Sequence, residues 1–465
     1  MPASKLQIHL LYPDLETALQ NNDTEGLLEI CETLSAEDLA EMVVKLVANL
    51  QGLFFEQVAE ATATEIFELL DVDVQKSVLS SLSNPRVVAI INEMDPDDRT
   101  ELLESLPQTV TRQLLSFLKP RERKEAQRLL DFPKDSIGRL MTPDFMAIKQ
   151  EWTVERVLDF IRRNGEDKET LNDLYVVDDK GRLVDEIGIR EFLLSPLERK
   201  TLDIMDRQFV SLNALHPEEE AIQIFKKYSN RTALPVTDEE GFLLGIVTID
   251  DILHLAEKET TEDIHKLGGV GAITKPYLTL PLKEMVAKRG YWLTILFLGE
   301  MLTASAMGFF EKEISRAVVL ALFIPLIISS GGNAGSQAAS LVIRAIALGE
   351  VHFKDWLVVF RREILVGLIL GCTLGLVGLL RISIWSLFSS TYGDHWFLIG
   401  LTVYFSLIGV VAWGTMIGSL FPLILKRLGA DPATSSAPFV ATFIDVTGIV
   451  IYFNIALLLL KGKLL

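Results

Sequence analysis

The sequence predicts a multidomain protein in which an all-α helical solenoid and an α/β pair of repeated domains precede an all-α transmembrane domain of five helices. Three observations lead to this fold class: a break in charge, an internal repeat and five long apolar segments. Residues 276–465 carry 14 Lys plus Arg and 10 Asp plus Glu, whereas residues 1–275 carry 30 Lys plus Arg and 53 Asp plus Glu. The chain therefore joins a strongly acidic part to a slightly basic membrane part, and the acidity excludes nucleic acid as a partner and favours cations.

Residues 1–132 are predicted to form the helical N-terminal domain. A weak repeat supports this, because MDPDDR (94–99) recurs 24 residues later as LKPRER (118–123). In both copies a proline stands where a helix would begin, followed by charged first-turn residues and an apolar helix. Such a repeat is typical of a solenoid of stacked helices.

The clearer repeat lies within residues 137–258. LYVVDDKGRLVDEIGIREFL (174–193) pairs with LPVTDEEGFLLGIVTIDDIL (234–253) at an offset of 60. Each copy predicts a strand, a helix, two short strands around a D-x-x-G turn, and a closing helix. The two copies resemble a tandem pair of CBS domains, at 137–200 and 201–258.

The CBS resemblance implies regulation of an attached transporter or enzyme and binding of an adenine nucleotide such as ATP. Thr248 and Asp251, in GIVTIDD, match the ribose-contacting pattern of those modules. The alternative is that the two side chains only cap the last helix.

An acidic segment, AEKETTEDIHKLGGVGA (256–272), precedes the membrane part. We expect residues 259–283 to form a connecting, plug-type helix. Glu259, Glu262 and Asp263 fall within one helical turn and can share a face. Neighbouring carboxylates repel, and an oxygen-seeking cation relieves that repulsion, although a solvated helix face is the alternative.

Residues 284–465 are predicted to form the transmembrane domain. Each of five apolar segments exceeds the roughly 18 to 20 residues that cross a bilayer as a helix. They are residues 291–310, 317–345, 364–388, 396–425 and 437–460. Nine flanking Lys and Arg residues lie on the side of the N-terminal domains and five on the other. With an N-terminus unlike a secretory signal, this predicts a multi-pass protein of the plasma (inner) membrane, surrounded by membrane lipid, with cytoplasmic N-terminal domains.

One carboxylate, Asp445, lies in the middle of the last apolar segment, PFVATFIDVTGIVIYF. A charge at membrane depth is costly, so it faces a partner, a water-filled cavity or an ion path. The alternatives are a protonated acid or one paired with a base in the helix bundle. Because five helices are few for enclosing a path, a pore on the two-fold axis of a homodimer is expected.

Three long blocks resemble the MgtE family of magnesium channels and extend the resemblance over the whole chain. They are TEDIHKLG (261–268), IPLIISSGGNAGSQAASLVIRAIALGEV (324–351) and LGADPATSSAPFVATFIDVTGIVIYF (428–453). The resemblance implies a homodimeric Mg²⁺-selective channel with its pore on the dimer axis. It also implies that cytosolic Mg²⁺ closes the channel by binding to acidic surfaces of the N-terminal, CBS and connecting segments.

The same resemblance assigns site residues. In the pore, Asp445 would meet hydrated Mg²⁺, with a carbonyl oxygen at Ala441 and the amide oxygen of Asn333 as further ligands. Pro438 and Gly448 are helix breakers that could expose such carbonyls, and packing alone is the alternative for the glycines. The regulatory Mg²⁺ ligands carried over from the family are Asp97, Glu218, Glu220, Asp251, Glu259, Glu262 and Asp263.

The chain also departs from the family pattern. Glu300, in LFLGEMLTAS, is an acid inside the first apolar segment and is expected to be a second ion or proton site, or a carboxyl paired with a neighbour. Asn230 and His254 stand where acids would match better, and Ala437 stands where a pore-mouth Asn would. The number and affinity of the regulatory sites are therefore left open.

Other classes of protein remain as alternatives. An ion-coupled secondary transporter of another divalent cation, such as Co²⁺ or Mn²⁺, regulated by nucleotide at the CBS pair, also fits Asp445, but paired repeats of spans are typical of such proteins. An anion channel would need basic or amide groups in place of Asp445. An enzyme is not predicted, because the spans lack a cluster of His, Cys or Ser with partners.

Overall fold

The computed structural model of the chain describes residues 5–166, 168–273, 277 and 280–464. Its contacts divide it into two compact units, an N-terminal unit, Met1–Ala256, and a C-terminal unit, Glu257–Leu465.

The N-terminal unit begins with a run of α-helices in which one long helix precedes nine short ones. They are α1 (Lys5–Asn21), α2 (Thr24–Thr33), α3 (Ala36–Lys45), α4 (Ala48–Gln57), α5 (Glu60–Glu68), α6 (Val72–Ser81), α7 (Asn84–Glu93), α8 (Pro96–Ser105), α9 (Gln108–Phe117) and α10 (Pro120–Leu130). From Thr24 to Pro120 a new helix begins every 12 residues. The 24-residue repeat expected from the sequence is thus two of these units, and Pro96 and Pro120 lie in the first turns of their helices.

An aliphatic residue at every twelfth position explains this regularity. Each one directly follows a helix, except Leu70, which lies two residues after the end of α5, and all but two of them are buried. They are Leu34, Leu46, Val58, Leu70, Leu82, Met94, Leu106 and Leu118, with Leu82 and Leu106 partly buried. Alternate helices pack on one another, such as α4 on α6 and α5 on α7, around one apolar core. The predicted solenoid is confirmed.

Two repeated α/β domains complete the N-terminal unit. The first contains α11 (Ile137–Leu140), β1 (Ala147–Lys149), α12 (Val154–Asn164), β2 (Asp173–Val177), β3 (Leu183–Gly188) and α13 (Ile189–Leu194). The second contains β4 (Leu212–Asn213), α14 (Glu218–Lys227), β5 (Ala233–Thr237), β6 (Leu243–Thr248) and the first turns of α15 (Ile249–Leu267), a helix that continues past Ala256. The sheets have the orders β1-β2-β3 and β4-β5-β6, each with a parallel first pair and an antiparallel second pair.

The registers of the two sheets match at the predicted offset. Asp173 pairs with Gly188 in the first sheet, and Ala233 pairs with Thr248 in the second. In the D-x-x-G turns, the carboxylates of Asp178 and Asp238 each accept two backbone N–H groups. The following glycines, Gly181 and Gly241, have φ of 91° and 84°, a conformation that favours glycine.

The helix that closes the second CBS repeat is longer than the sequence predicted. Because α15 ends at Leu267, Glu259, Glu262 and Asp263 lie in this helix, and residues 259–283 are not a separate helix. Residues 274–276 and 278–279 of the predicted connecting segment lie outside the described residues.

The C-terminal unit contains five helices, among the described residues, that are long and apolar enough to cross a membrane. They are α16 (Leu282–Phe309), α18 (Ile324–Ala347), α19 (Trp356–Phe388), α20 (Trp396–Arg427) and α21 (Ala437–Leu460), with a short α17 (Glu311–Arg316) between the first two. The predicted five spans are confirmed. α18, α20 and α21 pack together, α19 lies on α20, and α16 packs against α21.

Small residues bring the backbones of α18 and α20 into direct contact. A Cβ atom built on Gly418 would lie 2.1 Å from the carbonyl oxygen of Gly335, and one on Gly414 would lie 2.5 Å from that of Gly331. Only glycine fits at either position. Close backbone packing at small residues is a usual means by which membrane helices associate. Because lipid tails are as apolar as the side chains, the hydrophobic effect does not drive helices together inside a bilayer.

Gly418→Ala is therefore expected to destabilise the C-terminal unit by about 1–3 kcal/mol, the usual cost of overpacking. The measurement is the melting temperature of the detergent-solubilised protein, followed by size-exclusion chromatography after heating. Gly290→Ala is the matched control, because no atom lies within 4 Å of a Cβ at Gly290 and alanine favours a helix. Equal melting temperatures for the two variants would show that the α18–α20 contact does not limit stability.

Candidate cation sites

The first candidate site lies around Asp445, in the middle of α21. Asp445 and Ala441 are one helical turn apart and both are partly buried. A Cβ atom on Gly332 of α18 would lie 3.4 Å from the Ala441 Cβ and 4.0 Å from Asp445 Oδ1. The structure thus brings these two predicted pore residues to the α21 face that meets α18.

Asn333, the third predicted pore residue, follows Gly332 and is exposed on the single chain. The expectation that Pro438 and Gly448 expose carbonyls is wrong. Pro438 lies in the first turn of α21, where no backbone N–H is needed, and Gly448 is buried against Val410 within the unbroken helix. Any oxygen supplied at Ala441 belongs to a regular helix.

Glu300, on α16, lies beside this site. Its carboxyl group interacts electrostatically with the Asp445 carboxyl. The close approach of the two helices is made at Gly299, where a Cβ would lie 2.9 Å from Thr442 Cγ2. Glu300 and Asp445 are therefore neighbours, and both alternatives that the sequence left for Glu300, an ion or proton site and a carboxyl paired with a neighbour, stay open.

The second candidate site lies in the N-terminal unit. Ligand oxygens of Glu68, Asp95 and Asp98 all lie within 4.8 Å of one another. Glu68 ends α5, and its Oε1 accepts the backbone N–H of Asp95, at 2.7 Å, just before α8 begins. Stacking of alternate solenoid helices thus places the end of one helix at the start of another.

Acids of the neighbouring α/β domains complete this group. Asp97 interacts electrostatically with Asp251 and Glu169, and Asp98 also interacts with Asp251. We name the six acids the carboxylate cluster: Glu68, Asp95, Asp97, Asp98, Glu169 and Asp251. It joins the predicted regulatory residues Asp97 and Asp251 to four acids that the sequence analysis missed.

Burial is the main cause of the raised pKa values in the carboxylate cluster. It raises the pKa of Asp98 to about 8, and those of Glu68 and Glu169 to about 7, with neighbouring carboxylates adding to the effect. Burial followed by the charge of Asp251 raises the pKa of Asp97 well above its usual range. The pKa of Asp251 rises to about 6.

The cluster has the chemistry of a hard-cation site. Asp97 Oδ1 is buried and has no hydrogen-bond partner within the described part of the chain. Buried carboxylates of like charge are stabilised by protons or by a cation among them, and Mg²⁺ prefers oxygen ligands. Asp97, Asp98 and Glu68 could hold such an ion.

The remaining predicted regulatory residues lie elsewhere. Glu220 Oε2 lies 3.0 Å from His216 Nδ1, and the backbone N–H of Glu218 donates to Asp135 O at the start of α14. Glu262 lies 3.3 Å from Lys266 Nζ, which also contacts Asp431 at 2.9 Å. Glu259 and Asp263 lie on the same helix as Glu262.

The candidate nucleotide residues contact each other. The Thr248 hydroxyl donates a hydrogen bond to Asp251 Oδ2 across the first turn of α15. This is the capping arrangement that the sequence left open for Thr248, and it also orients Asp251 within the carboxylate cluster.

A recurring side-chain bond could have revealed the cluster. Glu56 accepts the N–H of Ser83, Glu68 that of Asp95, and Asn92 that of Lys119. Each bond spans 27 residues. The acceptors are thus acid or amide side chains at matching positions of the repeat. When an acid or amide stands at such a position, the 12-residue repeat predicts which helix begins beside its side chain.

Comparison with known proteins agrees with this architecture. Residues 324–455 match the family model MgtE, described as a divalent cation transporter, and residues 34–135 match the MgtE intracellular N domain. Residues 137–196 and 202–258 match the CBS domain.

Two curated relatives are named magnesium transporter MgtE. The protein of Thermus thermophilus is 36% identical over 96% of this chain and 98% of its own length. The protein of Bacillus subtilis is 29% identical over 94% of this chain and 95% of its own length. A crystal structure described as the cytosolic domain of the Mg²⁺ channel MgtE in complex with ATP covers 53% of this chain and 100% of its own, with 33% identity and a TM-score of 0.51.

These matches confirm the predicted fold class and the predicted localisation as a multi-pass membrane protein with cytoplasmic N-terminal domains. Since a relative more than one-third identical aligns over nearly the whole chain, and the models for all three parts match in order, the chain belongs to the MgtE family of divalent cation transporters.

Proposed function

We propose that the protein is a Mg²⁺-selective channel of the plasma membrane. The observation that carries the proposal is Asp445, a carboxylate in the middle of an apolar helix of the family's transporter region. A charge there is costly unless it serves a cation path. The choice of Mg²⁺ is supported by the relatives, which are named magnesium transporters.

The pore is proposed to lie on the two-fold axis of a homodimer, where two copies of Asp445 face one another. Mg²⁺ holds its water ligands tightly, so a pair of carboxylates that contacts the hydrated ion suits it. In the single chain Asp445 is only partly buried, Asn333 is exposed, and α16 has no buried residue along its described length. These surfaces fit a site that a second copy completes.

Regulation is proposed to act through the carboxylate cluster. Mg²⁺ bound there offsets the repulsion among buried acids and so favours one arrangement of the N-terminal unit, which is how a ligand biases a two-state element. Glu218, Glu220, Glu259, Glu262 and Asp263 are further candidate ligands of regulatory Mg²⁺. Several weak sites acting together suit a sensor of millimolar Mg²⁺, and closure at high cytosolic Mg²⁺ is the expected result.

Binding of ATP at the CBS pair is a second part of the proposal. It is supported by the related cytosolic domain that was solved in complex with ATP. Thr248 and Asp251 are the candidate ribose contacts. Because Asp251 also belongs to the carboxylate cluster, nucleotide and Mg²⁺ are expected to influence each other's binding.

The decisive experiment is single-channel recording from the purified protein in liposomes, with Mg²⁺, Co²⁺ and Mn²⁺ tested in turn. Unitary Mg²⁺ currents that close as internal Mg²⁺ rises are expected, from protein that is dimeric by light scattering. Divalent flux without unitary steps, but coupled to a gradient of protons or Na⁺, would instead establish the secondary transporter. A conducting monomer would contradict the axial pore.

A further inference from the structure

Glu300 is a second carboxylate at membrane depth that the proposed pore does not explain. It lies in α16, 18 residues after the helix begins at Leu282 and nine before it ends at Phe309. It is exposed on the surface of the chain. A carboxylate on the surface of a membrane helix does not face lipid, so its surroundings must be polar or aqueous.

A groove runs along α16 to this residue. Its volume is about 610 Å³, and its lining extends from Gly290 to Glu300. Ten residues of helix correspond to about 15 Å. Thr294, Glu300 and Thr442 are the polar lining residues of the groove, and Leu293, Leu296 and Phe297 are its large apolar ones.

The lining of the groove includes Glu300 of α16 and Thr442 of α21. Gly299 allows α16 to lie against Thr442, and the Glu300 carboxyl interacts electrostatically with that of Asp445. Two neighbouring carboxylates repel unless a cation or a proton lies between them. The acid at this depth is therefore one of a pair, not a single carboxylate.

A polar group with an unfilled hydrogen-bonding position lies one helical turn beyond Gly299 on α16. The Thr303 hydroxyl oxygen is buried and has no hydrogen-bond partner among the residues the structure describes. Thr303 follows Gly299 by one helical turn and so lies on the face of α16 that meets α21. Buried hydroxyl groups are nearly always hydrogen-bonded, and a water ligand of a hydrated cation would supply the missing partner.

We propose that Glu300 adds a second carboxylate from the same chain to the Asp445 cation site and thereby sets its affinity and selectivity for divalent cations. This inference rests on the proposed function. In a dimer the site would hold two such pairs, and divalent cations would gain more from the added charge than monovalent cations, because the attraction scales with ionic charge.

The test uses the full-length protein in liposomes. Glu300→Gln is expected to raise the half-saturating Mg²⁺ concentration about tenfold and to admit Na⁺, because one of two nearby charges is removed, while flux at saturating Mg²⁺ persists. Glu300→Asp, which keeps the charge, is expected to stay close to wild type in both measurements. Glu300→Ala is a second neutral variant that is expected to fold, since the side chain is exposed and its removal leaves no cavity.

Glu363→Gln is the matched control, since Glu363 is a half-buried acid near the start of α19 beside Arg362. Wild-type affinity and Na⁺ exclusion in both neutral Glu300 variants would overturn the inference, and so would an equal change in Glu363→Gln.

Asp445→Asn separates the proposed pore from the proposed role of Glu300. If Asp445→Asn conducts Mg²⁺ normally, the proposed pore fails; if it is inactive while the neutral Glu300 variants are normal, only the role of Glu300 fails.

Discussion

Asp445→Asn is expected to reduce Mg²⁺ flux by about 100-fold or more, because the substitution removes the charge that attracts a hydrated divalent ion and keeps the size and hydrogen bonding of the side chain. The measurement is Mg²⁺ uptake into proteoliposomes that contain an internal Mg²⁺-sensitive dye. Asp445 is only partly buried and forms no ion pair with a basic group within the described part of the chain. The variant is therefore expected to fold.

Asp394→Asn provides the matched control for Asp445→Asn. Asp394 is exposed in the short connection between α19 and α20, so its neutralisation is expected to leave Mg²⁺ uptake unchanged. Both variants should elute from a sizing column as the wild type does. Normal Mg²⁺ uptake by correctly folded Asp445→Asn protein would refute the role of Asp445 in the pore.

Neutralising the carboxylate cluster with the double variant Asp97→Asn/Asp98→Asn is expected to abolish most of the closure by internal Mg²⁺ while leaving ion selectivity intact. The physical reason is that the variant removes the repulsion that Mg²⁺ would offset, together with two of the ligands. Open probability measured across an internal Mg²⁺ titration up to about 10 mM, near the weak end of oxygen-ligand sites, gives the result. Closure identical to that of wild type would contradict a sensing role.

The pKa values of the cluster predict a pH dependence with a definite sign. A carboxyl whose pKa is raised by folding stabilises the folded state at low pH, and this contribution is lost as pH rises through the raised pKa. The ordinary carboxyl pKa is about 4, and folding raises the pKa of Asp251 to about 6, those of Glu68 and Glu169 to about 7 and that of Asp98 to about 8. The loss therefore begins at about pH 4 and is complete at about pH 8.

In the presence of a chelator, the N-terminal domains should therefore become more sensitive to protease as the pH rises over that window. Added Mg²⁺ should remove the dependence, since a cation replaces the protons. The Asp97→Asn/Asp98→Asn variant should be more resistant than wild type at pH 8 without Mg²⁺. Asp14→Asn, an exposed position on α1, should behave as wild type. A wild type with no pH dependence in chelator would show that the cluster is hydrated and carries no strain.

Much of the fold follows from patterns that are local in sequence. The offset of 60 residues predicted both sheets, because the D-x-x-G turns place their aspartates and glycines at matching positions. The five spans follow from length and hydropathy alone. Asp445 was found because a single charge in an apolar helix is conspicuous.

The carboxylate cluster could not be found in the same way. Glu68 and Asp98 are 30 residues apart and belong to different helices, and only solenoid stacking brings them together. The 12-residue spacing of aliphatic residues would have indicated how the solenoid helices stack. The sequence analysis instead used two prolines that are 24 residues apart, and this spacing reveals only every second repeat. Pro438 was misjudged because proline breaks a helix interior but is favoured in a first turn.

The twelve-residue solenoid bears on how the chain is synthesised. Its helices contact neighbours one or two repeats away, so each gains its partners soon after it leaves the ribosome, and such local topologies fold within milliseconds. At about 5–20 residues per second, the interval between the end of α10 at Leu130 and the start of α16 at Leu282 takes roughly 8 s or longer. On these time scales the solenoid has time to fold before any apolar span is synthesised.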